Sequence, residues 1–183
     1  EAIPIIGNSV ALTRLVLTIC GLHRDTLVKA IREEDEEVLH LLIGNKLLDD
    51  PEEAQTALAL GAAYSSHEVF MRILNFREQL DWPVDSLMQA LRFGCLHLEN
   101  RDARQNVQIL LGRLRISSIV ADNANVDALE EAAKRGEGDL VDQIIEILPE
   151  GISFRLLQGF FTQCGKKASL TEKQVDALVA KSN

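Results

Sequence analysis

Between Leu129 and Leu148 apolar residues return every three or four positions, in two runs parted at Gly136 to Asp139. That spacing predicts two short amphipathic helices, with Gly136 at the turn. Their apolar faces are small or branched: Ala132 and Ala133 on the first, Leu140, Val141 and Ile144 on the second. Two such helices cannot bury these faces alone, so the pair is expected to stack against others of its kind.

The chain supplies the others. Asp127 to Ile145 aligns without a gap on Asp25 to Ile43, placing Leu129 on Leu27, Ala132 on Ala30, Leu140 on Val38 and Ile144 on Leu42. A third copy, Ala57 to Leu74, puts Ala62, Phe70, Ile73 and Leu74 on the same scaffold, at a period of roughly thirty residues. A fourth combines Asp85 to Gly94 with Asn106 to Leu114 and needs an insertion near 95–105. The C-terminal stretch from Phe154 fits more loosely, with Gly159 at the small position and Val175, Leu178 and Val179 on its second helix. Pro51, Pro83 and Pro149 are expected in the joints between pairs. Ser86, Asp127, and Ser169 or Thr171 are candidate N-caps.

Leu129, Ala132, Ala133, Gly136 and Leu140, with Ala62, Ala63, His67 and Phe70, and Leu27, Ala30, Val38, Leu41 and Leu42, carry a pattern that resembles the ankyrin repeat. The T-P-L-H opening is absent, and glycine at the helix turn is kept only at Gly136 and Gly94, so the copies resemble degenerate repeats. The resemblance implies an all-α chain of stacked helical hairpins forming a short α-solenoid. Residues 25–183 would make one continuous domain and residues 1–24 an N-terminal capping helix. Another type of helical hairpin shares this spacing.

Composition narrows the function. The chain has 183 residues, 46% of them hydrophobic, enough for a core, and only 4% aromatic, which suits helix packing better than a sheet sandwich. A net charge of -9 disfavours nucleic acid, whose phosphates require Lys and Arg. The apolar run from Val10 to Leu22 is interrupted by Arg14 and too short to span a bilayer. Cys20, Cys95 and Cys164 form no CxxC pair and suggest reduced thiols, hence an intracellular, cytoplasmic setting. An opening Glu1 in place of Met fits a fragment of something longer.

No catalytic motif stands out, and neither metal nor cofactor is expected. His23, His40, His67 and His97 never stand four apart on a helix. The acidic runs at Arg32 to Glu37 and Asp49 to Glu53 lack the central glycine of a calcium loop and read as solvated helix termini. Cys95 with His97, oriented by Glu99 or Asp102, is the enzymatic alternative, against the simpler reading of a buried thiol beside a surface imidazole. Trp82, the sole tryptophan, is either an exposed anchor or, as isolated aromatics more often are, a packed seal between hairpins.

Two residues beyond each small position stand Arg32, Tyr64, Arg92, Lys134 and Phe161. In an ankyrin-like stack these five would form a row along the concave groove. Arg and Tyr are enriched at interaction hot spots, and a basic, aromatic row would suit an acidic or extended peptide. The sequence thus points to a noncatalytic interaction module, a scaffold, adaptor or effector, that binds a protein or peptide through this groove and the inserted loop.

Overall fold

The computed structural model describes residues 29–33, 39, 48, 50–76, 82–114, 123–164 and 169–182, with the backbone alone at 123–125. The capping helix expected over 1–24, Cys20, and most of the copy from Asp25 to Ile43 lie outside the described residues. The described chain is all-helical and contains no strand. Its helices are α1 (Pro51–Tyr64), α2 (His67–Asn75), α3 (Val84–Leu96), α4 (Ala103–Leu114), α5 (Asn123–Lys134), α6 (Gly138–Ile147), α7 (Phe154–Cys164) and α8 (Glu172–Lys181). A helical segment at 29–32 precedes them.

Local chemistry sets most of the ends. Asp50 caps α1, its carboxylate accepting from the amides of Glu52 at 2.9 Å and Glu53 at 3.2 Å, while Pro51 takes the first helical position, where no amide is needed. Pro51 therefore opens a helix, where the sequence reading placed it in a joint. Ser66 accepts from Val69 N to start α2. Thr171 and Gln174 form a reciprocal capping box at α8, as the sequence suggested for Thr171. Ser86 and Asp127 are not caps: α3 starts after Pro83, which buries Ser86 within its first turn, and Asp127 lies inside α5.

Gly136 makes the turn expected of it. Its φ is +72°, Glu137 N donates to Ala132 O at 3.0 Å and Gly136 N to Ala133 O at 3.1 Å, the paired bonds that close a helix on a left-handed glycine. Gly94 does something else. It is buried inside α3, and a methyl group there would stand 2.6 Å from Val107 Cγ2, so it permits close helix approach and forms no turn.

Packing follows chain order in two rows. α1 lies on α3, α3 on α5 and α5 on α7; α2 lies on α4, α4 on α6 and α6 on α8. Ala30, Ala62, Ala90 and Ala132, the small positions of the first row, are completely buried. Phe70, Ile73, Leu74, Leu110, Leu111, Leu140 and Ile144 fill the space behind them from α2, α4 and α6. Small residues in one row let its helices approach, and larger ones in the other close the core. The insertion anticipated near 95–105 contributes six non-helical residues, His97 to Asp102, because Cys95 and Leu96 complete α3 and Ala103 begins α4. Trp82 is half-buried against the core, its indole N–H donating to Leu74 O at 2.7 Å. No helix among the described residues is long and apolar enough to cross a membrane.

Candidate functional site

The carboxyl ends of α1, α3 and α5 lie along one edge, and donors from the segments that follow reach them. Asn106 of α4 is buried and donates through Nδ2 to Gly61 O at 3.3 Å and Ser65 O at 3.1 Å. Asn100, in the α3–α4 link, donates to Ala63 O at 2.7 Å. Arg135, just past α5, donates to Leu96 O and pairs with Glu99 at 2.6 Å. Ser169 N donates to Ala133 O at 3.4 Å. The last carbonyls of a helix lack the amides of a further turn, and here neighbouring segments supply donors to them, while Gly61 O and Ala133 O also accept locally from Ser65 and Gly136.

Aromatic groups gather on this edge. Tyr64, the last residue of α1, places its hydroxyl 3.1 Å from His97 Nε2, and the two rings tilt together with centroids 4.7 Å apart. Phe93 meets His97 at 5.1 Å and Tyr64 edge-on at 6.3 Å. The Arg32 guanidinium lies over the Tyr64 ring, 4.2 Å from its centroid. On the far side of the imidazole, His97 Nδ1 is 3.2 Å from Glu99 Oε1. With the Tyr64 hydroxyl donating to Nε2 and Nδ1–H donating to Glu99, both ring nitrogens are satisfied. The Glu99 carboxyl is held below the usual range, first by its own backbone amide and then by His97 and Arg135. The chain of contacts Arg32, Tyr64, His97, Glu99, Arg135 thus crosses four segments of the fold.

Of the five residues placed in a row from sequence, Arg32 and Tyr64 come together. Arg92 instead pairs with Asp127 of α5 at 3.2 Å. Lys134 bonds to Glu130 and Glu131 of its own helix, with Glu130 chiefly holding its ammonium pKa above the usual value. Phe161 packs on Phe160 at 5.2 Å and helps to line a mainly apolar pocket of about 290 Å³ with Phe154, Leu157 and Val179. Phe93 and Arg135, one position beyond Arg92 and Lys134, occupy the Tyr64 edge.

Cys95 is fully buried in α3, and burial pushes its thiol up to about 12, with the charges of Glu131 and Glu137 adding to the effect. A nucleophilic thiol needs exposure and a depressed pKa, so Cys95 has the reverse of both. His97 is committed to Tyr64 and Glu99. Of the two acidic runs, the one from Arg32 to Glu37 lies outside the described residues beyond Glu33, and in the one from Asp49 to Glu53, Asp50, Glu52 and Glu53 serve the amino end of α1. Compared with protein-family models, curated proteins and solved structures, the chain matches none of them.

Proposed function

We propose that this chain is a noncatalytic protein-interaction module, a short α-solenoid of degenerate, ankyrin-like helical hairpins acting as a scaffold, adaptor or effector. The row-by-row packing of α1, α3, α5 and α7 beside α2, α4, α6 and α8 supports the solenoid reading. Its binding surface is the edge carrying Arg32, Tyr64, Phe93 and His97. The observation that carries this is the Arg32 guanidinium on the Tyr64 ring, within a group of half-exposed aromatics. Arg and Tyr supply large contact areas, and residues already held by neighbours lose little freedom when a partner arrives. The buried, free thiols of Cys95 and Cys164 suit a reducing, intracellular compartment. The burial and raised pKa of Cys95 favour this reading over catalysis by Cys95 and His97.

Affinity capture with the intact chain and with an Arg32→Ala, Phe93→Ala variant tests the surface, after circular dichroism verifies that both are folded. A protein retained by the first and lost by the second is the expected result. Identical retention by both overturns the assignment of this edge.

A further inference from the structure

Three side chains on the Tyr64 edge stand in a fixed order, a hydroxyl, an imidazole and a carboxylate. Tyr64 Oη is 3.1 Å from His97 Nε2, and His97 Nδ1 is 3.2 Å from Glu99 Oε1. At such separations a nucleophile, its general base and the group that orients the base act together. The three come from the end of α1, the cap of α3 and the link to α4, so the packing of α3 on α1 assembles them. His97 thus has its orienting carboxylate, but the nucleophile before it is a phenol, because the Cys95 thiol is buried.

Their protons have one consistent arrangement. The Glu99 carboxyl is held below the usual range, first by its own backbone amide, so at neutral pH it is ionised and can only accept. Nδ1 then carries the imidazole proton, the Nε2 lone pair faces the phenol, and Tyr64 is the donor. Arg135 grips Glu99 by its other oxygen, Oε2, at 2.6 Å, which fixes the carboxylate without competing for His97. The Arg32 guanidinium lies 4.2 Å from the Tyr64 ring centroid, where it favours negative charge on the phenol as the proton leaves. Tyr64 and His97 are each only partly buried, unlike Cys95.

We propose that Tyr64 is an acyl-acceptor site, its phenol activated by His97 and reactive toward thioesters and other activated esters. Tyr64 Oη attacks the acyl carbon while His97 Nε2 takes the phenolic proton. The bond from that carbon to the leaving sulfur or oxygen breaks, and the imidazolium gives its proton to the leaving group. Tyr64 is left as an aryl ester, and nothing is oxidised or reduced. Glu99 is a positioning residue that holds the tautomer and steadies the imidazolium. This reactivity goes beyond the interaction reading. Where that reading holds, acylation removes a hydroxyl donor and adds bulk at the partner surface, so it should weaken capture.

Tyr64 is the sole tyrosine of the chain, which makes the test specific. The folded chain is treated with p-nitrophenyl acetate and the acetyl groups are located by peptide mass mapping; hydroxylamine strips them from a phenol ester but not from lysine. At neutral pH Tyr64 is expected to react about 100-fold faster than the phenol of N-acetyltyrosine amide. The free compound reacts as it ionises, at about pH 10, whereas Tyr64 should reach its plateau in the range where imidazoles lose their proton. His97→Gln should bring the rate down to that of the free compound. Glu99→Gln should lower the plateau about tenfold and Glu99→Asp restore part of it, and this pair decides if circular dichroism shows His97→Gln unfolded. A rate no faster than the free compound, a profile without the imidazole step, or a rate unchanged in these variants each overturns the proposal. An unreactive Tyr64 leaves the binding surface to its capture experiment, since a phenol can be gripped without reacting, and a failed capture leaves the reactivity to this one.

Discussion

Asn106 of α4 donates to the carbonyl oxygen of Ser65, 41 residues earlier, at 3.1 Å from a fully buried position. The same amide reaches Gly61 O at 3.3 Å, so one side chain closes the end of α1. Replacing Asn106 by Ala should cost about 1–3 kcal/mol, because Ser65 O stays buried without that donor, while Gly61 O keeps Ser65 N and Oγ. Urea denaturation is the check, and a loss below about 0.5 kcal/mol would show that the caps are dispensable. Asn100→Ala, at a half-buried site with one bond, should cost less.

Two helical glycines should respond to alanine with opposite signs. At Gly94 the new methyl group would sit 2.6 Å from Val107 Cγ2 and 3.6 Å from Ala62, so Gly94→Ala should destabilise by about 1–3 kcal/mol in spite of its better helix propensity. The cost should shrink in a Val107→Ala background. At Gly159 nothing stands within 4 Å, and Gly159→Ala should stabilise by about 0.5–1 kcal/mol. Thermal melts of both variants test the pair, and a shared sign would contradict the packing described.

The thiols give a pH signature. Cys95 is pushed up to about 12 and Cys164 to about 11, each chiefly by burial, from 9.0. A folded pKa above the unfolded one means that the neutral thiol is favoured by folding. This contribution is complete below pH 9.0 and fades as pH rises toward about 12 for Cys95 and about 11 for Cys164. The stability of the intact chain should therefore fall more steeply above pH 9.0 than that of a Cys95→Ala, Cys164→Ala variant. Alkylation of Cys95 at neutral pH should require unfolding, and rapid labelling of the folded chain would revive the catalytic alternative.

Trp82, as the sole tryptophan, offers a direct optical report. Half-buried and bonded to Leu74 O at 2.7 Å, it should emit to the blue of free indole and shift red on unfolding. Trp82→Phe removes that donor and should cost about 1 kcal/mol, measured by circular dichroism. Emission like that of free indole in the native chain would place the ring in water and return it to the role of an exposed anchor.

Much of the fold could be read where local chemistry decides it. The break between α1 and α2, the Gly136 turn and the Thr171 cap each depend on residues within a few positions of one another. Burial of Ala30, Ala62, Ala90 and Ala132 was likewise legible, since a repeated small residue on an apolar face has few other uses. The site was legible only in part. Counting two residues beyond each alanine finds Arg32 and Tyr64, but Phe93 is the next aromatic because the offset between α1 and α3 is fixed by packing, not by spacing along the chain. The roles of Asn100, Asn106 and Arg135 were hidden for the same reason: each serves carbonyls roughly 37 to 45 residues away. His97 attracted notice as a base for Cys95, whereas its bonds run to Tyr64 and Glu99.

Because Asn100, Asn106, Arg135 and Ser169 all reach back toward earlier helices, the fold has a direction. A chain pulled from its carboxyl side gives up α8, whose Lys181 O is held by Gly151 N and Ile152 N, then Ser169, then Arg135, then the asparagines, and from Ser169 on each detachment strips the end of an earlier helix. Pulling from the amino side instead removes helices whose caps stay behind on segments still folded. The two ends should yield at different forces, as a zipper does when opened from its slider or from its stop.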